Sequence, residues 1–302
     1  MPIASLVIAT AIAGVGVQSA AVDNNSYMQS IEKWQADRVK RLTAPNGWLS
    51  LIGLPWLRPG INTIGSAADN DVVLTKGPAH LGCVTWQEDG KVEITLNRDS
   101  GALIDGKPER KAVLLDDSHE SPTRVSFGKV DFYLIARGPK KGLRVKDPEA
   151  PTRTGFAGIE RFPVDKSWRI EAKWVPFDPV HHLDVPTVIG TVEKYPVPGK
   201  LVFERDGKSF SLLPVIEVPG DKELFVIFAD RTSGKETYGA ARFVYIDMPG
   251  DGKAVIDFNK AYNPPCAFTP YATCPLAPPE NRLDLRVTAG EKKYRGPGAH
   301  ED

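Results

Sequence analysis

The chain has 302 residues, 41% of them hydrophobic, and its 38 Lys+Arg balance 38 Asp+Glu for a formal net charge of zero. That length is long for one domain and suggests two modules with buried cores. The even charge balance excludes a partner held chiefly by phosphate neutralisation, nucleic acid above all, because such binding needs a concentrated excess of basic side chains.

Residues 1–17 carry no charged side chain and include Ile3, Leu6, Val7, Ile8, Ile12 and Val15. The run is short for a membrane span of ~20 apolar residues. It matches a signal-peptide core, with Ser19 and Ala21 as the small residues before a cut at Val22, so residues 1–21 read as a leader. The expected location is periplasmic or secreted. The leader lacks a Lys or Arg ahead of the apolar run, and an uncleaved anchor is the rival reading. Later segments are too short or too polar to span a bilayer, so no membrane contact is expected beyond the leader. In an oxidising compartment Cys266 and Cys274 are close enough in sequence to pair. Closing so short a loop would restrict the unfolded chain by roughly 2–3 kcal/mol. Cys83 is left over and reads as a buried strand residue. Three cysteines without convergent histidines make no zinc signature, and no metal or cofactor is expected.

Residues 22–59 begin with Tyr27, Ile31, Trp34, Val39 and Leu42 at roughly helical spacing, with charged residues between them. This predicts an amphipathic helix ended by Ala44-Pro45-Asn46-Gly47. An apolar stretch over 48–57, broken by Gly53 and Pro55, reads as a buried edge segment. Over 60–147 short strands are predicted at 72–74, 83–86, 92–96, 113–115, 124–127, 131–136 and 143–145, the pattern of a β-sandwich. The spacing of Gly60-x-x-x-Ile64-Gly65-Ser66, Asn70-Asp71-Val72, His80, Ile104-Asp105-Gly106 and Val125-x-Phe127-Gly128 resembles a forkhead-associated (FHA) β-sandwich. In that family a loop Arg, a Ser-Arg pair and an Asn hold phosphothreonine. Here Ser66 follows Gly65, Gly77-Pro78 precede His80 at the Ser-Arg position, and Ser100 stands in place of the Asn. Without a guanidinium to grip phosphate, a phosphothreonine peptide is not an expected partner. His80 reads as a structural residue on that scaffold.

The segment 148–154 is a plausible domain boundary. From 148 to 296 a C-terminal β domain is expected, with strands at 168–174, 188–192, 201–204, 209–213, 223–228, 241–246 and 254–258. Asp206-Gly207 between two of them is a hairpin signal. The whole is mainly β: an FHA-like sandwich, then a small antiparallel barrel or curved sheet, with one N-terminal helix and a tail at 297–302.

Arg144-Val-Lys-Asp147, Phe228-Ala-Asp230, Glu236-Thr-Tyr238-Gly239, Asp257-Phe-Asn259, Asn263-Pro-Pro-Cys-Ala-Phe268 and Pro278-Pro-Glu-Asn-Arg-Leu283 resemble a bacterial domain-of-unknown-function family, 1684. The resemblance implies no activity. Between 263 and 279 stand six prolines, Pro264, Pro265, Pro270, Pro275, Pro278 and Pro279, so the segment can be neither helix nor interior strand. Such a stiff loop is either a lid on the core or one wall of a pocket. The polar residues that could converge on it are Asp230, Glu236, Tyr238, Arg242, Asp257, Asn259, Asn263, Tyr271 and Arg282. They would position a small polar ligand, or they would staple the loop to the sheet. His119 and His300 read as surface residues, and His181-His182 lack a third metal ligand. The first functional reading is an exported binding or scaffold protein. The alternative is a hydrolase or lyase working through carboxylates and Tyr238 at the same place.

Overall fold

The computed structural model describes residues 24–299. The leader and its cleavage point, and His300, lie outside the described residues. Helix α1 (Asn24–Leu42) forms where the apolar stripe predicts it. Tyr27, Ile31, Trp34, Arg38 and Leu42 follow at three- and four-residue steps and so share one face. All are buried except the half-buried Trp34. Lys40 and Arg41 sit in the last turn, where cations complement the carbonyl end of a helix. The chain then doubles back tightly: a Cβ on Gly47 would stand 2.6 Å from the Leu42 carbonyl oxygen, so only glycine fits. Among the described residues no helix is long and apolar enough to cross a membrane.

Ten strands follow. The first five are β1 (Leu51–Gly53), β2 (Gly60–Gly65), β3 (Val72–Val73), β4 (Gly82–Trp86) and β5 (Val92–Leu96). The next are β6 (Leu103–Ile104), β7 (Lys111–Val113), β8 (Arg124–Phe127), β9 (Val130–Arg137) and β10 (Lys140–Lys146). They make two five-stranded sheets, ordered β1-β10-β9-β8-β6 and β3-β2-β4-β5-β7. Alternate residues such as Val92, Ile94 and Leu96 enter one shared core with Ile64, Val84, Val125, Phe132 and Leu143. This is a β-sandwich. Where the forkhead-associated resemblance would place its phosphate loop, the Ser66 hydroxyl donates to the Gly77 carbonyl at 2.8 Å. His80 is exposed there, 3.9 Å from Asp69.

After a short helix α2 (Pro151–Thr154) come β11 (Arg169–Pro186), β12 (Val192–Arg205), β13 (Lys208–Leu212), β14 (Glu223–Phe228), β15 (Arg242–Asp247) and β16 (Lys253–Asp257). The sheet β13-β12-β11-β16 curls into a half-barrel around Leu201, Phe203, Leu212, Ile256 and Phe258. The antiparallel pair β14-β15 sends Leu224, Val226, Phe228, Val244 and Ile246 into that core. Its other face carries Phe225, Ile227 and Phe243 into a second core. Burial on both faces explains why 224–228 is apolar without alternation.

The hairpin at Asp206-Gly207 has positive φ at both residues, 52° and 72°, as a twist-matched two-residue turn requires. The predicted strand at 188–192 is instead a turn, in which Gly190 (φ 76°) donates to the Thr187 carbonyl, and β12 starts only at Val192. Conversely β11 runs to Pro186, far past the predicted end. Pro176, Pro179 and an exposed His181-His182 remove the alternation that would have signalled it.

Candidate functional site

The polar residues singled out in the sequence fall into separate structural ties. Arg242 and Asp230 form a buried ion pair at 3.4 Å. Arg242 also donates to the carbonyls of Ala289 at 2.5 Å and Val287 at 3.0 Å, while Asp230 accepts the Val287 amide at 2.6 Å. The unit fastens the 287–289 segment to β15. Glu236 forms a two-pronged surface pair with Arg286, at 2.5 and 2.8 Å. Tyr238 is buried in the second core. Tyr271 is half-buried and Arg282 exposed.

Asp257 and Asn259 do come together, but around helix α1. Tyr27 donates to both Asp257 oxygens at 3.0 and 3.1 Å, and Asn259 Nδ2 donates to the Tyr27 hydroxyl at 2.9 Å. Asn263 joins another tie: its amide donates to the buried Glu291 at 2.8 Å, and its carbonyl accepts from Arg38 at 2.8 Å.

The proline loop closes the second core. Pro265 opens a single 3₁₀ turn, Pro265–Ala267, and Cys266, Ala267, Phe268, Ala272, Cys274 and Ala277 are all buried beneath it. Phe268 packs on Tyr294 with ring centroids 4.6 Å apart. Cys266 and Cys274 are free thiols here, each sulphur accepting the other residue's amide, at 3.2 and 3.4 Å. The hydrogen bond from Cys274 holds the Cys266 thiol below its ordinary pKa, whereas burial pushes the Cys274 thiol well up. Cys83 is half-buried on β4.

A cleft of about 860 Å³ lies elsewhere, between three parts of the chain distant in sequence. Helix α1 and the following turn give Trp34, Arg38, Arg41 and Trp48. The sandwich edge gives Tyr133 on β9 and Arg144 and Lys146 on β10. The open face of β14, β15 and β16 gives the floor, with Phe225, Tyr245, Asp247 and Asp257 among its residues. Strand pairing explains the floor: Glu223 stands opposite Asp247 and Phe225 opposite Tyr245, so one face repeats an acidic rung and an aromatic rung. Phe225 stacks on Tyr245 at 4.9 Å, Tyr245 on Tyr262 at 6.4 Å, and Trp34 tilts against Tyr262 at 6.3 Å. Of the sequence candidates only Asp257 lines this cleft; from the proline loop, Pro265 reaches its edge.

Charge is divided across the cleft. Tyr245 donates to Glu217, whose carboxyl is raised by desolvation and by the nearby acids Asp221 and Glu193. On the sandwich side Arg144 is 3% exposed and its guanidinium lies over the Trp48 ring at 5.0 Å. Beside it, burial together with Arg124 and Arg144 pushes the Lys146 ammonium down to about 8. Among the described residues no group of three or more His, Cys, Asp or Glu is placed to hold a metal.

Sequence reasoning passed over Arg38, Arg144, Lys146, Tyr245 and Tyr262 as site residues. A signal was present for two of them. Arg38 continues the buried stripe of α1, and Arg144 stands between Leu143 and Val145 in an otherwise apolar strand. A charge embedded in an apolar pattern marks a partner that local sequence does not show.

No curated protein matches the chain. Among solved structures, the chain is similar to an uncharacterized protein of Haloarcula marismortui determined by solution NMR, at 30% identity and a TM-score of 0.39. The match covers 45% of this chain and 77% of that one. A family model matches residues 154–292, which hold the cleft floor while α1, β9 and β10 lie outside the match. Through that segment the chain belongs to the family described as protein of unknown function (DUF1684).

Proposed function

We propose that the chain is an exported binding protein that holds a small polar ligand in the cleft between α1, the sandwich edge and the β14–β16 floor. The observation that carries this reading is the cleft itself. About 860 Å³ lies within the size of ordinary small-molecule sites. Its walls come from three separate segments and combine aromatic faces with charges of both signs, a lining suited to orienting a polar ligand. The enzyme alternative is less favoured by the geometry, since of its residues Asp257 lines the cleft while Glu236 and Tyr238 do not. Export rests on the apolar run at 1–17 followed by Ser19 and Ala21.

A thermal-shift screen of small polar compounds on the purified protein tests the binding reading. Ligand at one hundred times its Kd stabilises the folded state by about 2.7 kcal/mol, a shift of a few degrees in Tm. Tyr245→Ala removes a partly exposed ring from the floor and should abolish the shift, read against the variant's own unliganded Tm, which loss of the stacking on Phe225 and Tyr262 will lower. A hit equally strong in Tyr245→Ala would place the ligand elsewhere.

Export also bears on the loop. In an oxidising compartment Cys266 and Cys274 would lose two electrons to a disulfide-exchange oxidant and two protons to solvent, forming one S–S bond. Protein collected from that compartment and denatured without reductant should then show one reactive thiol, Cys83, of the three cysteines. Three reactive thiols would overturn the disulfide and weaken the export reading.

A further inference from the structure

The class of ligand can be narrowed from the cationic wall of the cleft, on the footing that the cleft is the binding site. Arg144 and Arg242 are two buried guanidiniums in very different company. The Nε of each lacks a hydrogen-bond partner. Arg242 compensates with carbonyl bonds at 2.5 and 3.0 Å and a dedicated carboxylate. The polar contacts of Arg144 are all long, Tyr133 Oη at 3.4 Å, Thr273 Oγ1 at 3.5 Å and Asp117 Oδ2 at 3.8 Å, and its remaining support is the Trp48 ring at 5.0 Å. Asp117 is moreover committed to Arg137, which grips it at 2.6 and 2.9 Å. A buried guanidinium with no short bond is unfavourable unless something else takes its donors.

Lys146 adds to the same deficit. Its ammonium donates to the Asn46 carbonyl at 2.6 Å, and the carboxylate within electrostatic reach, Asp131, is already paired with Arg124 at 2.9 Å. Among the described residues, therefore, these two cations on one wall have no carboxylate of their own, since the Asp117 carboxylate 3.8 Å from Arg144 is held by Arg137 at 2.6 Å. The cleft is also much larger than a single inorganic anion needs, and Tyr245 and Tyr262 line it too, as an aromatic floor.

We propose that the ligand is a small organic anion, its carboxylate or phosphate group seated between Arg144 and Lys146 and its body laid along Tyr245 and Tyr262. The planar fork of Arg144 fits two oxygens of such a group. Lys146 supplies a point charge, and the rings supply apolar area. A bound anion also favours the charged form of Lys146, against the burial and the two neighbouring cations that disfavour it.

Phenyl phosphate, benzoate and uncharged benzamide serve as probes of one body with three head groups, with inorganic phosphate as a probe of the head group alone. Calorimetric titration should show benzoate or phenyl phosphate binding at least tenfold tighter than benzamide, and the better of the two identifies the head group. Lys146→Met, at a partly exposed position, should fold normally and weaken that probe at least tenfold, and Arg144→Met should do so more strongly. Affinity in wild type should fall as pH rises through about 8 and stay flat there in Lys146→Met. Benzamide binding as well as the anions, with loss in Tyr245→Ala, would overturn the anion class and leave the cleft reading intact. Anion binding unchanged in both cation variants, or no binding of either organic anion at millimolar concentration, would also overturn the proposal. A screen without any hit sensitive to Tyr245→Ala would overturn the cleft itself.

Discussion

Arg242→Met is expected to lower the stability of the fold by about 3–5 kcal/mol, the loss usual when one partner of a buried ion pair is removed. Side chains of both partners are essentially sealed from solvent, at 1% and 0% exposure. Desolvation lowers the Arg242 guanidinium from its ordinary pKa while Asp230 raises it, and a guanidinium still holds its proton throughout the working pH range. Methionine fills much of the volume, so the loss comes from what is left behind. Asp230 keeps the Thr232 hydroxyl at 2.7 Å and the Val287 amide, yet its charge becomes uncompensated. The carbonyls of Val287 and Ala289 lose their donor in a dry interior. The urea midpoint, followed by tryptophan fluorescence, should drop with the slope unchanged. Asp230→Asn in the same chain should return part of the loss, because the stranded charge goes with it. A midpoint equal to wild type in the single variant would show that the pair contributes nothing, and that the 287–289 segment is held by apolar packing alone.

This pair also shows why the fold was more legible than the site. Strands such as β5, β8 and β14 show in sequence as runs of apolar or β-branched residues bounded by turns, and period and turn chemistry are local properties. Asp206-Gly207 fixes its hairpin in the same local way. Arg242, Asp230, Asp257 and Asn259 are chemically indistinguishable in sequence from ligand-binding residues. What sorts them is which atoms face them, and those lie tens or hundreds of positions away, as Tyr27 does from Asp257. The proline loop left two readings open in sequence, a lid on the core or a wall of a pocket. A segment that loses little entropy on ordering serves either purpose, and here Cys266, Phe268 and Ala272 are buried in the core. The cleft was invisible because each of its three walls is ordinary alone. A helix with an arginine in its apolar stripe, a strand with a charge between Leu143 and Val145, and a hairpin with alternating acids and aromatics become a site only when the fold juxtaposes them.

Glu291→Gln should be comparably damaging, by about 3–5 kcal/mol, although it changes one atom. Glu291 has no exposed surface and faces two guanidiniums, Arg38 at 3.3 Å and Arg161 at 3.8 Å. Burial lowers the Arg161 guanidinium, with Arg38 acting in the same direction and Glu291 against it. Glutamine can still accept the Asn263 amide, so backbone anchoring survives while the negative charge shared by the two arginines goes. The consequence should reach the cleft. Arg38 ties helix α1 to the Asn263 carbonyl and lies over Tyr262 at 4.6 Å, so its position sets both a wall and part of the floor. Hydrogen exchange should therefore accelerate across α1 in Glu291→Gln, more than in the β-sandwich, whose core is separate. Adding Arg38→Met should recover part of the stability by removing one stranded cation, but not the slow exchange of α1, because the tie to Asn263 is then gone as well. Equal recovery of both would mean that the helix is held by Tyr27, Ile31 and Leu42 alone. Wild-type stability in the single variant would mean that the two arginines do not depend on Glu291 for their charge.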